Sequence, residues 1–228
     1  MSEDADKKLT NLSIFFLGNS TVGKTSFISK YMNDIFKDYY LSTIGIDFIY
    51  KIIKLPTGEE VRLLFYDTAG QEQYRAVSYN LLKGADGLFL MYDIGNQKTF
   101  DDINEWLRNI REIKGDNFLI ILIGNKCDLE EEEKVITKEE GEKLANDNGL
   151  PFFETSCKEG INIEESVQFL VYKIIDRMQR EEKQLEYRLN QQVINIMNSK
   201  IPNIGASPIL INLHFLYFLL GIILYLIN

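Results

Sequence analysis

Apolar residues recur along the chain in two rhythms. Short apolar runs at residues 12–17 and 118–123 read as buried strands, with a further apolar strand at 61–66 and a briefer one at 151–153. Between them, residues 24–33, 99–114, 137–148 and 162 to about 180 space their apolar positions as helices do. In the second of these Ile103, Trp106, Leu107, Ile110 and Ile113 share one face, which predicts Trp106 in the core. Thr137 with Glu140, and Asn162 with Glu165, match the pattern of helix N-terminal caps. Residues 47–55 and 60–66, joined through Pro56-Thr57-Gly58, predict a hairpin. Alternating strands and helices predict an α/β domain with a mostly parallel sheet covered on both faces. No internal repeat is visible.

Directly after the first strand comes Gly18-Asn19-Ser20-Thr21-Val22-Gly23-Lys24-Thr25, at the spacing G-x-x-x-x-G-K-[ST]. Glycines also make ordinary turns, but here strand, loop, Lys-Thr pair and helix are in register. Backbone N–H groups of such a turn wrap a polyphosphate, and the helix N-terminus adds a favourable dipole. Lys24 would reach the β- and γ-phosphates, and the Thr25 hydroxyl would ligate Mg²⁺. Gly18, Ser20, Thr21, Val22, Gly23, Lys24, Thr25 and Ser26 are therefore the expected phosphate-binding residues.

Three further segments follow strand patterns. Asn125-Lys126-Cys127-Asp128 places a carboxylate where guanine offers two adjacent donors; adenine lacks that pair and would leave a charge unpaired. Asn125 would tie this loop to the phosphate loop, and the Lys126 stem would pack along the base. Ser156, Cys157 and Lys158, after the strand at 151–153, would close over the other side of the purine. Asp67-Thr68-Ala69-Gly70-Gln71-Glu72 ends another strand. There Asp67 would hold Mg²⁺ through water, Gly70 would admit the γ-phosphate, and Gln71 would orient the attacking water. Thr43 is the residue expected to close over the metal. Gln71 and Lys24 are the expected catalytic residues, and Thr25, Thr43 and Asp67 the metal site.

With these motifs in this order, residues 12–180 resemble a small GTPase of the Ras superfamily, most like the Rab family. The Rab leaning rests on residues 42–48, 51–55 and 67–75 and on Leu90-Met91-Tyr92-Asp93-Ile94. The resemblance implies a P-loop NTPase fold with a six-stranded sheet, one antiparallel edge strand and helices on both faces. It also implies a GTP/GDP switch in vesicle traffic, with effector, exchange-factor and GTPase-activating proteins as partners. Phe36 matches the family aromatic that packs against the base. Tyr66, Tyr74, Leu81-Leu82 and Lys83 depart from the usual Rab residues, as do Thr21 in the phosphate loop and Cys157, where alanine is common. Residues 36–43 hold no arginine to act in cis, so intrinsic hydrolysis is expected on the order of 10⁻⁴ to 10⁻³ per second.

Composition narrows the picture. The 228 residues are 45% hydrophobic and 26% charged, enough for one α/β domain with a full core plus extensions. A net charge of −9 excludes nucleic acid as an expected partner. Glu130 to Glu133 read as a solvated loop. Two cysteines, Cys127 and Cys157, fit a reduced setting better than a disulfide. Ser2 after Met1 excludes myristoylation, and no apolar signal region begins the chain.

The expected organisation is a disordered stretch at 1–10, a GTPase domain at 11–180, a helical linker at 181–207 and a hydrophobic tail at 208–228. Leu185, Leu189, Val193 and Ile196 carry the helical pattern into the linker. Residues 201–228 contain no Asp, Glu, Lys or Arg, and residues 209–227 would span roughly 28 Å as a helix, close to a bilayer's hydrocarbon core. No cysteine follows Cys157, so the expectation is a tail anchor in place of prenylation, with the domain on the cytosolic face of an endomembrane. The tail could instead pack on its own domain, or be translated AT-rich non-coding sequence. Two further readings stay open: a GTP-binding membrane-tethered module without hydrolysis, and a phosphate-loop metabolic kinase. Intact Gln71, Thr43 and Asp67 weigh against the first, and Asn125 to Asp128 against the second.

Overall fold

The computed structural model describes residues 9–35, 46–68 and 81–200. Phe36, Thr43, Gly70, Gln71, Tyr74 and the apolar tail lie outside them. Among the described residues six strands form one sheet: β1 Thr10–Gly18, β2 Ile46–Lys54, β3 Glu60–Thr68, β4 Gly87–Asp93, β5 Ile120–Asn125 and β6 Phe152–Thr155. Their order is β2-β3-β1-β4-β5-β6. β2 runs antiparallel to β3 as the hairpin pattern requires, and every other pairing is parallel.

The runs at 12–17 and 118–123 become the central strands β1 and β5, whereas the run at 61–66 becomes β3, half-buried at alternate residues, and that at 151–153 leads into the edge strand β6. Every residue of β4 and β5 is buried. Along β1 the period of two sends Leu12, Ile14 and Phe16 to one face, and Phe15 and Leu17 to the other. The first face packs on α1 (Lys24–Asn33) through Phe27, Ile28 and Tyr31, and on α5 (Ile163–Lys200) through Val167, Leu170, Val171 and Ile174. Phe16, Phe27 and Phe89 meet there with ring centroids 5.0 to 5.3 Å apart. The second face packs on α3 (Ile103–Lys114) through Ile103, Trp106, Leu107 and Ile110, and on α4 (Lys138–Asn148) through Ala145. Each of the larger aliphatic and phenylalanine side chains contributes about 1.5–3 kcal/mol by leaving water, which fixes both helix layers against the sheet.

Two local expectations change. The helix expected at 99–114 is divided into α2 (Gln97–Asp101) and α3, with Asp102 at the junction. Asn96 starts α2 earlier than its apolar spacing indicates, accepting the Lys98 N–H in its side chain. The Asp102 carboxylate meanwhile accepts from Asn19 Nδ2 at 2.5 Å. Thr137 and Glu140 form a reciprocal capping box on α4. Asn162 behaves otherwise: its backbone is left-handed at φ 54° and its side-chain amide donates to the Glu154 carbonyl at 2.7 Å.

The chain divides into units Met1–Ile175 and Asp176–Asn228. Within the second, α5 continues to Lys200 with ion pairs Arg177–Glu181 and Arg180–Asp176 one turn apart. Met178, Leu185, Leu189 and Ile196 are exposed on it. Among the described residues no helix is long and apolar enough to cross a membrane.

Candidate functional site

The polar residues of interest gather where the strands end. In the sheet register Asp93 of β4 lies beside Asn125 of β5, which lies beside Thr155 of β6. Gly18 ends β1 and Asp67 nearly ends β3. Carboxyl ends of parallel strands, where loops turn over to helices, are where open α/β sheets hold ligands.

The loop after β1 is shaped by close backbone approach. A Cβ on Gly18 would lie 2.2 Å from the Met91 carbonyl oxygen, and one on Gly23 would lie 2.2 Å from Asn125 Nδ2. Gly23 also has φ 103°, so no side chain is tolerated on either count. Thr21 sits at φ 66°, an uncommon conformation for a β-branched residue, with its hydroxyl turned back to the Ser20 carbonyl at 2.6 Å. Val22 is buried, Ser20 and Ser26 are half-buried, and α1 begins at Lys24.

Lys24 is only 5% exposed, and its Nζ donates to the Gly18 and Asn19 carbonyls at 3.0 and 2.7 Å. Burial lowers its pKa to about 8, opposed by the nearby Asp67 carboxylate. Asp67, also 5% exposed, accepts the Thr25 hydroxyl at 2.6 Å. The adjacent Thr68 hydroxyl donates to the Phe16 carbonyl at 2.7 Å and pins the end of β3 to β1. An ammonium, a carboxylate and a hydroxyl thus converge beside a loop of backbone amides. Two hard oxygen donors facing one another at Thr25 and Asp67 suit a small divalent cation completed by phosphate and water.

Across the loop, Asn125 is 1% exposed. Its Nδ2 donates to the Val22 carbonyl at 2.8 Å, and its Oδ1 accepts from Thr155 Oγ1 at 3.0 Å and Cys157 Sγ at 3.3 Å. Lys126 is left-handed at φ 72° and pairs with Asp93 at 2.6 Å. Asp128 Oδ1 accepts the Ser156 hydroxyl at 2.5 Å, while Ser156 Oγ accepts the Glu159 N–H at 3.0 Å. Lys158 is exposed. Cys157 is a buried free thiol with its pKa pushed up to about 12 by burial, so it is a packing group and weak donor. Cys127 is also free and raised by burial.

Among the expected site residues, Gly18, Lys24, Thr25 and Asp67 are thus linked at the phosphate loop, and Val22, Gly23, Asn125, Asp128, Ser156 and Cys157 lie along the neighbouring strand ends. Phe36, Thr43, Gly70 and Gln71 fall outside the described residues. Sequence reasoning missed the supports: Asp93 under Lys126, Thr155 behind Asn125, and the Asn19 side chain, which accepts from Trp106 Nε1 at 2.8 Å. A lone acid closing an all-apolar strand was the available signal for Asp93; nothing local marked the other two.

Comparison with known proteins places this arrangement. The model of the Ras family matches residues 13–176. The GTP-binding protein Rab-3D of Rattus norvegicus is 44% identical over 195 residues, covering 86% of this chain and 85% of that protein. Ras-related protein Rab-3B of Homo sapiens is 43% identical over 165 residues, 72% of this chain and 74% of that one. Ras-related protein Rab-3C of Bos taurus is 42% identical over 165 residues, 72% of each.

Proposed function

The chain belongs to the Ras family and is a Rab-like small GTPase, and we propose that it is a GTP/GDP switch in vesicle-mediated transport. Asn125 is the observation that carries the nucleotide reading. One buried amide spans the loop expected to read the base and the loop expected to wrap the phosphates. Such a bridge holds the two loops next to one another, as one nucleotide bound across both would require.

In this reading the loop from Gly18 to Ser26 presents its amides to the β- and γ-phosphates, and Lys24 exchanges its carbonyl partners for phosphate oxygens. Asp128 accepts the two guanine donors, the Lys126 stem lies along the ring, and Ser156, Cys157 and Lys158 close the far side. Phe36 covers the base edge. Thr25, Asp67 through a water molecule, and Thr43 in the GTP form would hold Mg²⁺, which would supply neutralisation of charge on the transferring phosphoryl oxygens. Gln71 orients water, with Gly70 beside the γ-phosphate. Hydrolysis is slow until an activating protein supplies an arginine.

Partners of the switch would read the exposed edge of the hairpin. Phe48, Tyr50 and Ile52 of β2 are 64, 56 and 47% exposed, and Phe48 leans on Tyr66, itself stacked on Phe15 at 4.2 Å. An aromatic patch of this kind suits effector, exchange-factor and activating proteins. Tyr66 there alters the surface relative to the usual Rab tryptophan. The uncharged run at 209–227 would anchor the protein in an endomembrane, with the nucleotide domain in the cytosol.

The test measures dissociation of guanine and adenine nucleotides and single-turnover hydrolysis with purified protein. Strong guanine preference with turnover on the order of 10⁻⁴ to 10⁻³ per second is expected. Asp128→Asn should move the preference towards xanthosine nucleotides, because the amide then donates where xanthine accepts. Equal binding of ATP would reject the reading, and tight GTP binding with no turnover would reject the hydrolytic half.

A further inference from the structure

We propose that Asp93 is a positioning residue for the base-binding lysine, holding the Lys126 side chain in place before nucleotide arrives. This rests on the guanine-nucleotide reading above and gives a role to the acidic member of Leu90-Met91-Tyr92-Asp93-Ile94, which that reading leaves unused.

The carboxylate is held on two sides. Oδ1 accepts the Gly95 N–H at 3.0 Å, a turn closed by a side chain on its own backbone. That bond aims Oδ2 at Lys126 Nζ, 2.6 Å away. The backbone is equally fixed, since the Asp93 N–H donates to Thr99 Oγ1 at 3.0 Å and its carbonyl accepts from Asn96 N–H at 2.9 Å. Asp93 lies beside Asn125 in the parallel register of β4 and β5, so its carboxylate reaches the residue just beyond that strand. The Asp93 side chain is 11% exposed and that of Lys126 37%, so the anchor is the buried partner and the lysine the accessible one.

A turn alone would explain Oδ1 and the closeness of Gly95, but not the second oxygen. Lys126 also begins the loop at a left-handed φ of 72°, a conformation that a lysine adopts only against a local cost. A charge-assisted bond to a buried, oriented carboxylate offsets that cost and removes rotamers that an unheld lysine would have to give up on binding. The expected consequence is slower nucleotide release with base selection unaltered, since selection belongs to Asp128.

Asp93→Asn tests this in the full chain, because the amide oxygen can keep the turn to Gly95 while the ion pair is lost. Asp93→Ser serves as a second neutral variant that can also close the turn. Release of fluorescent GDP should accelerate about tenfold in either, the scale of a partly lost charge-assisted bond. In a Lys126→Met background the same substitutions should change release by less than about twofold, because the residue through which Asp93 acts is gone. Unchanged release in both single variants would overturn the proposal, as would a full effect persisting without Lys126. Failure of the unaltered protein to bind guanine nucleotides would instead overturn the nucleotide reading, and this inference with it.

Discussion

Asn125 and Val22, 103 residues apart, are joined by a buried bond from Nδ2 to the Val22 carbonyl at 2.8 Å. Gly23 sits so close to the same amide that it can carry no side chain. The contact therefore sets the distance between the end of β5 and the turn before α1. Asn125→Ala would remove the buried partner of the Val22 carbonyl and of Thr155 Oγ1, and leave Cys157 Sγ only its longer contact to the Gly23 carbonyl. An unpaired buried polar group costs about 1–3 kcal/mol. Nucleotide release should accelerate by roughly 10- to 100-fold, with the urea midpoint falling as well. A variant that releases GDP at the original rate would show that the two loops are held together by something else.

Thr21 shows the opposite relation, a residue at odds with its backbone. At φ 66° a β-branched residue pays roughly 1–2 kcal/mol that glycine does not. Part of the gain on changing it is returned, because glycine frees the unfolded chain by about 0.4–1 kcal/mol. Thr21→Gly should therefore stabilise the protein by about 0.5–1 kcal/mol, read as a raised urea midpoint at constant slope. A lowered midpoint would mean that the hydroxyl bond to the Ser20 carbonyl outweighs the conformational cost.

Legibility from sequence divides along the same lines as the physics. The phosphate loop was readable because its chemistry needs glycines and a lysine at fixed local spacing, and the strand before it is a run with few alternatives. Buried β1 and β5, and Trp106 in the core, follow from apolar patterning alone, whereas β4 was implied only by the six-stranded sheet of the family resemblance. Asp93, Thr155 and the Asn19–Trp106 contact were not readable, since each joins residues 30 or more positions apart that only the tertiary fold brings together. Asn162 was misread for a related reason. Its amide is spent on the Glu154 carbonyl, a tertiary partner that competes with the local cap. The break at Asp102 likewise coincides with a carboxylate engaged by the phosphate loop.

Trp106 is the single tryptophan of the chain, 2% exposed, and its Nε1–H donates to Asn19 Oδ1. The carbonyl of the same asparagine accepts from Lys24 Nζ at 2.7 Å. When Lys24 turns towards a phosphate that carbonyl is released, and the indole environment should shift with the loop. Intrinsic tryptophan emission should change when bound nucleotide is stripped by chelating Mg²⁺, and Asn19→Ala should remove most of the response. Identical emission from loaded and stripped protein would sink the link.

The uncharged run at 209–227 leads to a fractionation result. A spanning helix stays with the lipid under alkaline carbonate, whereas a peripheral protein is stripped. Native protein should remain in the membrane pellet, and truncation after Lys200 should release it. Recovery of the full chain in the supernatant would reject the anchor.

Lys24 carries the last prediction. Burial lowers its pKa from the ordinary 10.5 to about 8, the Asp67 carboxylate opposing only in part. The unfolded chain then binds more protons than the folded one between pH 8 and 10.5, so stability rises with pH through that window. Below about pH 8 the ammonium is held in the fold at a cost that phosphate would relieve. Lys24→Met removes the charge but leaves the Gly18 and Asn19 carbonyls without a donor, so the net gain in the nucleotide-free protein should be only about 1–2 kcal/mol at pH 7. The same variant should lose nearly all affinity for GTP, because the donor to the β- and γ-phosphates is gone. Urea melts across pH 7 to 10.5 should show a steeper rise for the original protein than for the variant. Parallel curves would mean that the lysine is already solvated in the nucleotide-free fold, and that its burial contributes nothing to the affinity of the site.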